Sequence, residues 1–346
     1  MKILKKLFAV SLFTVFFLFG YTLINYPHLF KLKKLFVDEP QTYFFDEKYS
    51  TSSEFEHMKT TNLVSYSDNS NLMENNSTKK CPFFYTPDEE DNRGVILADN
   101  HILFENNEEL HQKLRQYVID FIPDSSTMLN RLNSKLSIID LDEMDQNNFE
   151  QLAYYALFGT ELNHSESEMI IEYRILSRKV AMLPSFIRKL LLRRTLKQID
   201  EIKLYFENKF LNEGHTYPQL VFDVFWFNQA PLFGYYQNIQ QKLKSDSKLL
   251  KEVRDNKKTE NLVEEIFRLY PAVRVIPYEI NGEYFSANIS LANIDSTVFP
   301  NPLKINLNRD HYNHLTFASP SKRGCVGKSF SKNFLTTLIN KRIDQS

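Results

Sequence analysis

FASPSKRGCVGKSF, Phe317 to Phe330, contains Cys325, one of only two cysteines in 346 residues. Arg323 stands two residues before that cysteine and Gly327 two residues after it, and the apolar spacing of KSFSKNFLTTLI beyond predicts a helix. A thiol in a tight loop just ahead of a helix N-terminus is a presented ligand, because the helix dipole and the loop N–H groups favour its ionised form. About sixty residues upstream, EEIFRLYP (Glu264 to Pro271) sets Glu265 and Arg268 one helical turn apart.

Outward from these two stretches, composition narrows the classes. With 42% hydrophobic and 25% charged residues the chain is long enough for a sizeable core. Its formal net charge of -1 argues against a nucleic-acid partner, which needs a basic surplus to meet phosphates. Two cysteines exclude a disulfide framework and a multi-cysteine zinc site, leaving a Cys81–Cys325 pair or two inert core thiols as the ordinary alternatives. Eight glycines disfavour turn-rich sheet architectures and phosphate-cradling loops.

From Leu7 to Phe30 no side chain is charged, a run that at helical rise is long enough to cross a bilayer and lacks a small-x-small cleavage site near Gly20. Residues 1–35 therefore read as a single-pass membrane anchor. Lys2, Lys5 and Lys6 on one side are balanced by Lys31, Lys33 and Lys34 on the other, so charge does not choose the orientation. Residues 36–95 are polar and without sustained periodicity, a linker and loosely structured lead-in. The third region, 96–346, is helical for most of its length.

Helices are expected at 105–121, where Leu110, Leu114, Tyr117, Val118 and Phe121 share a face, and at 146–158, 166–182 and 184–211, the last with Pro184 in its first turn. Tyr217 to Leu243 reads as one long apolar helix kinked at Pro231, which has no N–H for the helix ladder. VRVIPYEI and EYFSANISLA around Asn281-Gly282 predict a hairpin, followed by FPNPLKINLNRD and HLTF. The fold class is mainly α with a small β-sheet.

Glu265, Arg268, Arg309 and the Arg323–Cys325–Gly327 loop together resemble the haem-binding end of a cytochrome P450. Such proteins carry Glu-x-x-Arg on one helix, a further arginine in an irregular meander, and a loop of the form Phe-x-x-Gly-x-Arg-x-Cys-x-Gly. This chain departs from the pattern twice: Phe317 lies eight residues before the cysteine where seven is usual, and Ser321 is nearest the place of the loop's first glycine. The resemblance implies a P450-like helical domain with haem b as cofactor. Cys325 is then the metal ligand, Gly327 the point of close backbone approach, and Arg323 a propionate contact.

The same resemblance gives His111 and Arg115, in LHQKLRQYV, a propionate role; without it, both read as solvated residues on a helix's polar side. Glu265 with Arg268 is otherwise an ordinary surface pair, while with Arg309 it becomes a brace for irregular backbone. Counting back from Glu265 sets Phe227-Asn228-Gln229-Ala230-Pro231 opposite the family's Ala-Gly-x-acid-Thr. Ala230 and Pro231 cannot relay protons, so Asn228, Gln229 and Pro231 are the catalytic candidates, the two amides serving either to orient a peroxide oxygen or to satisfy carbonyls freed at the kink.

Function follows as an expectation: a membrane-bound haem-thiolate monooxygenase that oxidises a lipophilic small molecule with electrons from a reductase or ferredoxin, its haem domain cytoplasmic. Lys322, Lys328 and Lys332 offer a basic docking face or a plain solvated cluster. The alternatives are a hydroperoxide-using peroxygenase or isomerase, and a non-catalytic degenerate haem-binding protein.

Overall fold

The structure, a computed structural model, describes residues 60–63, 65–75, 108–137, 139–141, 143–181, 192–229, 231–273, 275–280, 283–309, 314–318 and 324–345. The expected anchor, residues 1–35, lies outside the described residues. Among those described, no helix is long and apolar enough to cross a membrane.

The stretch expected to be linker holds regular structure: strand β1 (Thr60–Leu63) and helix α1 (Tyr66–Asn75). Tertiary contact, not periodicity, orders it. Leu72 and Met73 join Ala287, Ile289, Ala292, Leu315 and Ala318 in a small core, and the Tyr66 N–H donates to Asp295 Oδ2 at 2.9 Å. A buried amide, Asn69, closes the entrance to α1 by donating to the Leu63 and Ser65 carbonyls.

The main body begins with α2 (Glu108–Phe121), α3 (Ser125–Leu136), α4 (Gln146–Phe158) and α5 (His164–Ala181). Asp124 and Asp145 cap α3 and α4 by accepting backbone N–H bonds from the first turn. Gly159 ends α4 at φ 75, the left-handed backbone that favours glycine. The helix expected from residue 184 is described as α6 (Arg193–Asn212), and Pro184 lies outside the described residues.

The single kinked helix expected from Tyr217 to Leu243 is two helices, α7 (Pro218–Gln229) and α8 (Leu232–Ser245). Pro231 ends the ladder because it has no N–H for the carbonyl of residue 227, and its own carbonyl then accepts from the Tyr235 N–H to start α8. Helices α9 (Ser247–Asp255) and α10 (Thr259–Leu269) follow.

Strands β2 (Val275–Ile280) and β3 (Glu283–Asn288) pair antiparallel from Val275↔Asn288 to Ile280↔Glu283, the register an Asn281-Gly282 turn predicts. The sheet order is β1-β3-β2. Strand β3 stops short of the expected ISLA because the Asn288 side chain accepts from the Leu291 N–H and starts the short helix α11 (Ile289–Ala292). Residues 314–318, HLTF and Ala318, form a turn instead of a strand, and α12 (Lys328–Gln345) closes the fold.

Helix α12 packs on α3, α8 and α10, while α4, α5, α6 and α7 pack in succession on one another. Aromatic rings fill the seams: Phe149 of α4 meets Phe233 at 5.2 Å, Tyr236 at 5.7 Å and Phe334 of α12 at 5.4 Å. Offset and edge-on ring pairs of this kind add to what burial alone contributes.

Candidate functional site

The site is built from the C-terminal end inward. Glu265 and Arg268 are both almost fully buried on α10. Arg268 forks onto the Glu265 carboxylate through Nε at 2.8 Å and Nη2 at 3.0 Å. Arg309 adds Nε at 3.1 and 3.2 Å, and the Asn306 N–H donates at 2.9 Å. Arg268 also spends Nη1 on the carbonyls of Asn293 and Pro302. The expected brace is formed, and it ties helix α10 to the irregular chain of residues 293–309.

From there the order passes to the cysteine loop through residues that the motif reading missed. Asn293, fully buried, donates to Thr316 Oγ1 and to the Arg268 carbonyl, and its Oδ1 accepts from the Leu315 N–H at 2.8 Å. Thr316 donates to the Phe267 carbonyl at 2.7 Å. His314 pairs with Glu264 through Nε2 and Oε2 at 2.8 Å, both buried. Residues 314–317 are thus held against α10, and the Phe317 carbonyl accepts the Cys325 N–H at 2.8 Å. The one signal of this in the sequence is that EEIF and HLTF each carry a polar residue beside apolar ones, a pattern common on any surface.

Cys325 lies three residues before α12 with its side chain partly exposed. Gly327 is buried, and its carbonyl accepts the Ser331 N–H at 2.8 Å to open the helix. Arg115 comes from α2, 209 residues away in the chain, and donates Nη1 to the Gly324 carbonyl at 2.6 Å. Partial burial lowers Arg115 from its ordinary value, and the adjacent Cys325 sulfur opposes that shift. His111, one turn earlier on α2, is buried. The structure therefore brings Arg115, Cys325 and Gly327 together. Arg323, Ser321, Lys322 and Cys81 lie outside the described residues.

Asn228 and Gln229 end α7 immediately before the Pro231 break; their side chains lie outside the described residues. Of the three lysines expected as a docking face or a solvated cluster, the two that are described each have a partner. Lys332 donates to Glu260 at 2.7 Å and stands 3.7 Å from Glu264, which together raise it above its ordinary value against the effect of burial. Lys328 lies over the Phe317 ring at 5.9 Å.

Among the described residues no three His, Cys, Asp or Glu side chains gather to hold a bare metal ion. One thiol flanked by a cation instead suits iron carried by a porphyrin, for which Cys325 would be the protein ligand and Arg115 a partner for a carboxylate of the macrocycle. The residues present fit haem.

No protein-family model matches the chain, and no curated protein sequence is similar to it. Its structure is similar to many solved ones. P450BioI in complex with hexadec-9Z-enoic acid ligated acyl carrier protein is 13% identical at a TM-score of 0.61, covering 82% of this chain and 84% of that one. CYP109E1 from Bacillus megaterium in complex with testosterone is 13% identical at 0.61, covering 84% and 85%. CYP108D1 from Novosphingobium aromaticivorans is 14% identical at 0.55, covering 82% and 80%.

Proposed function

From the cytochrome P450 fold of this chain, we propose that it is a haem-thiolate oxidoreductase of the monooxygenase kind, binding haem b through Cys325 and oxidising a lipophilic small molecule. The observation that carries the reading is Arg115 reaching across from α2 to the Gly324 carbonyl beside the Cys325 sulfur, with the buried Glu265–Arg268–Arg309 set behind the loop. A thiolate-ligated haem, when bound, would supply cleavage of an O–O bond.

The protein's own part is to hold that ligand ionised and in place. The α12 N-terminus and the Arg115 cation both favour the thiolate over the thiol. In this reading Arg115, His111 and Arg323 would take the propionates, and Gly327 would let the backbone approach the ring closely. Asn228, Gln229 and Pro231, where α7 gives way to α8, stand in this reading where an acid and an alcohol would otherwise relay protons, and the two amides would orient an oxygen-bearing group there. A lipophilic substrate accords with the ligands named for two structural neighbours, a fatty acyl chain and a steroid, and with the aromatic make-up of the helices around α7. Electrons come from a reductase or ferredoxin.

The test is optical. Purified protein supplied with haem, reduced and exposed to carbon monoxide is expected to show the long-wavelength Soret band of thiolate ligation, and Cys325→Ala to lose it. A wild-type protein without that band, or a variant that keeps it, ends the proposal.

A further inference from the structure

We infer that Glu264 and His314 are a positioning pair for the cysteine ligand, distinct from the Glu265 brace and acting on the backbone that holds Cys325; the inference rests on the haem-thiolate reading. His314 has no accessible surface and Glu264 is 5% exposed, and their single bond, His314 Nε2 to Glu264 Oε2, is 2.8 Å. An ionised carboxylate can only accept, so Nε2 carries the proton and donates. Nδ1 finds no hydrogen-bond partner among the described residues, which makes the link to Glu264 the ring's one polar tie.

The consequence of that tie runs along a short stretch of chain. His314 immediately precedes a turn, Leu315 to Ala318, closed by the Ala318 N–H on the Leu315 carbonyl at 2.9 Å, and within it the Phe317 carbonyl receives the Cys325 N–H. Ala318 closes the turn at φ 52, a left-handed backbone that a non-glycine residue holds only when its surroundings impose it. The His314 ring lies 6.4 Å from Phe267 and 6.0 Å from Phe317, between α10 and the turn. For packing alone a phenyl ring would serve in that aromatic slot without burying an unsatisfied nitrogen. What an imidazole adds is a directed bond that sets where the turn, and with it the Phe317 carbonyl, sits.

The pair also senses α12. Glu264 faces Lys332 at 3.7 Å, Lys332 is held in turn by Glu260, and Lys328, the first residue of α12, acts on both Glu264 and His314. Arg268 is the other cation whose charge reaches His314. One buried bond therefore couples α10, the turn before the loop and the helix after it.

The experiment compares His314→Leu, which removes the donor, with His314→Gln, which keeps a side-chain N–H, in the full chain. Two readouts are taken: the ratio of thiolate to neutral-thiol Soret bands in the reduced carbon monoxide complex, and hydrogen exchange at the Cys325 amide in haem-free protein. His314→Leu is expected to raise the neutral-thiol share and the Cys325 exchange rate about tenfold each, with His314→Gln near wild type. If His314→Leu unfolds, Glu264→Gln, which keeps an acceptor but not its charge, is expected to shift both readouts in the same direction by a smaller factor. Variants with wild-type band ratios and wild-type Cys325 exchange overturn the inference, whatever their melting temperature. A wild-type protein with no thiolate band overturns the haem reading instead, and the exchange measurement still decides the pair.

Discussion

The Glu265 carboxylate is accommodated with no accessible surface because four N–H groups of Arg268, Arg309 and Asn306 replace water around it with five hydrogen bonds. Its neighbour Glu264 shows the complementary case, in which one carboxylate and one imidazole share a single bond. Burial works to raise the Glu264 carboxyl, yet His314, Lys328 and Lys332 hold it below its ordinary value. Burial also lowers His314 from its ordinary 6.5, with Glu264 only partly opposing. Both shifts have the same sign for stability. Below about pH 6.5 the unfolded chain binds a proton at residue 314 that the native state refuses, so stability falls with acid; the Glu264 contribution then disappears as pH drops through its lowered native value. The urea midpoint is expected to fall from roughly pH 7 to pH 5, and by less in His314→Phe, which has no proton to bind there. An equal fall in the two proteins would assign the acid sensitivity to other groups.

Among the elements, α4, α5 and α7 are joined by a charge pair with almost no access to solvent. Arg174 of α5 binds the Glu150 carboxylate of α4 with both terminal nitrogens, and its Nε donates to the Trp226 carbonyl of α7 at 2.9 Å. Trp226 belongs to the last turn of α7, close to the Pro231 break. A guanidinium there also meets the negative end of the helix dipole. The end of α7 is thus tied to the neighbouring helix α5. Arg174→Leu is expected to cost about 3–5 kcal/mol in urea unfolding, because Glu150 is left buried and uncompensated. The double variant with Glu150→Leu is expected to recover most of that loss, and a double variant as unstable as the single one would show that the pair is not what matters.

For the molecule as a whole, the haem-thiolate proposal ties cofactor binding to the stability of the fold. Ligand binding to the native state alone stabilises it by about 2.7 kcal/mol at a hundredfold excess over Kd, which for a chain of this size is a shift of about 4 °C in Tm. Added haemin is expected to raise the melting temperature of the wild-type protein by that order and to leave Cys325→Ala much less affected. No shift in the wild type, by calorimetry at matched protein concentration, would contradict a haem-binding fold.

Local patterns were legible in the chain itself. Helix α4 follows its apolar spacing residue for residue, the hairpin follows Asn281-Gly282, and Glu265, Arg268, Arg309 and Cys325 stand out by type and order. Each of these depends on neighbours within a few residues, where helix and strand periods act. Strand β1 and helix α1 were not legible, because their order comes from contacts with residues more than two hundred positions away, Asp295 among them. The pairs Arg115–Gly324, His314–Glu264 and Arg174–Glu150 likewise bring together groups 209, 50 and 24 residues apart. A buried polar side chain contradicts the apolar pattern that sequence reading relies on, and it becomes favourable only when packing delivers its partner. The sequence alone singled out Cys325 as the residue to propose as ligand, and the tertiary structure decided which side chains surround its loop, since a buried charge is stabilised by whatever the fold sets opposite it.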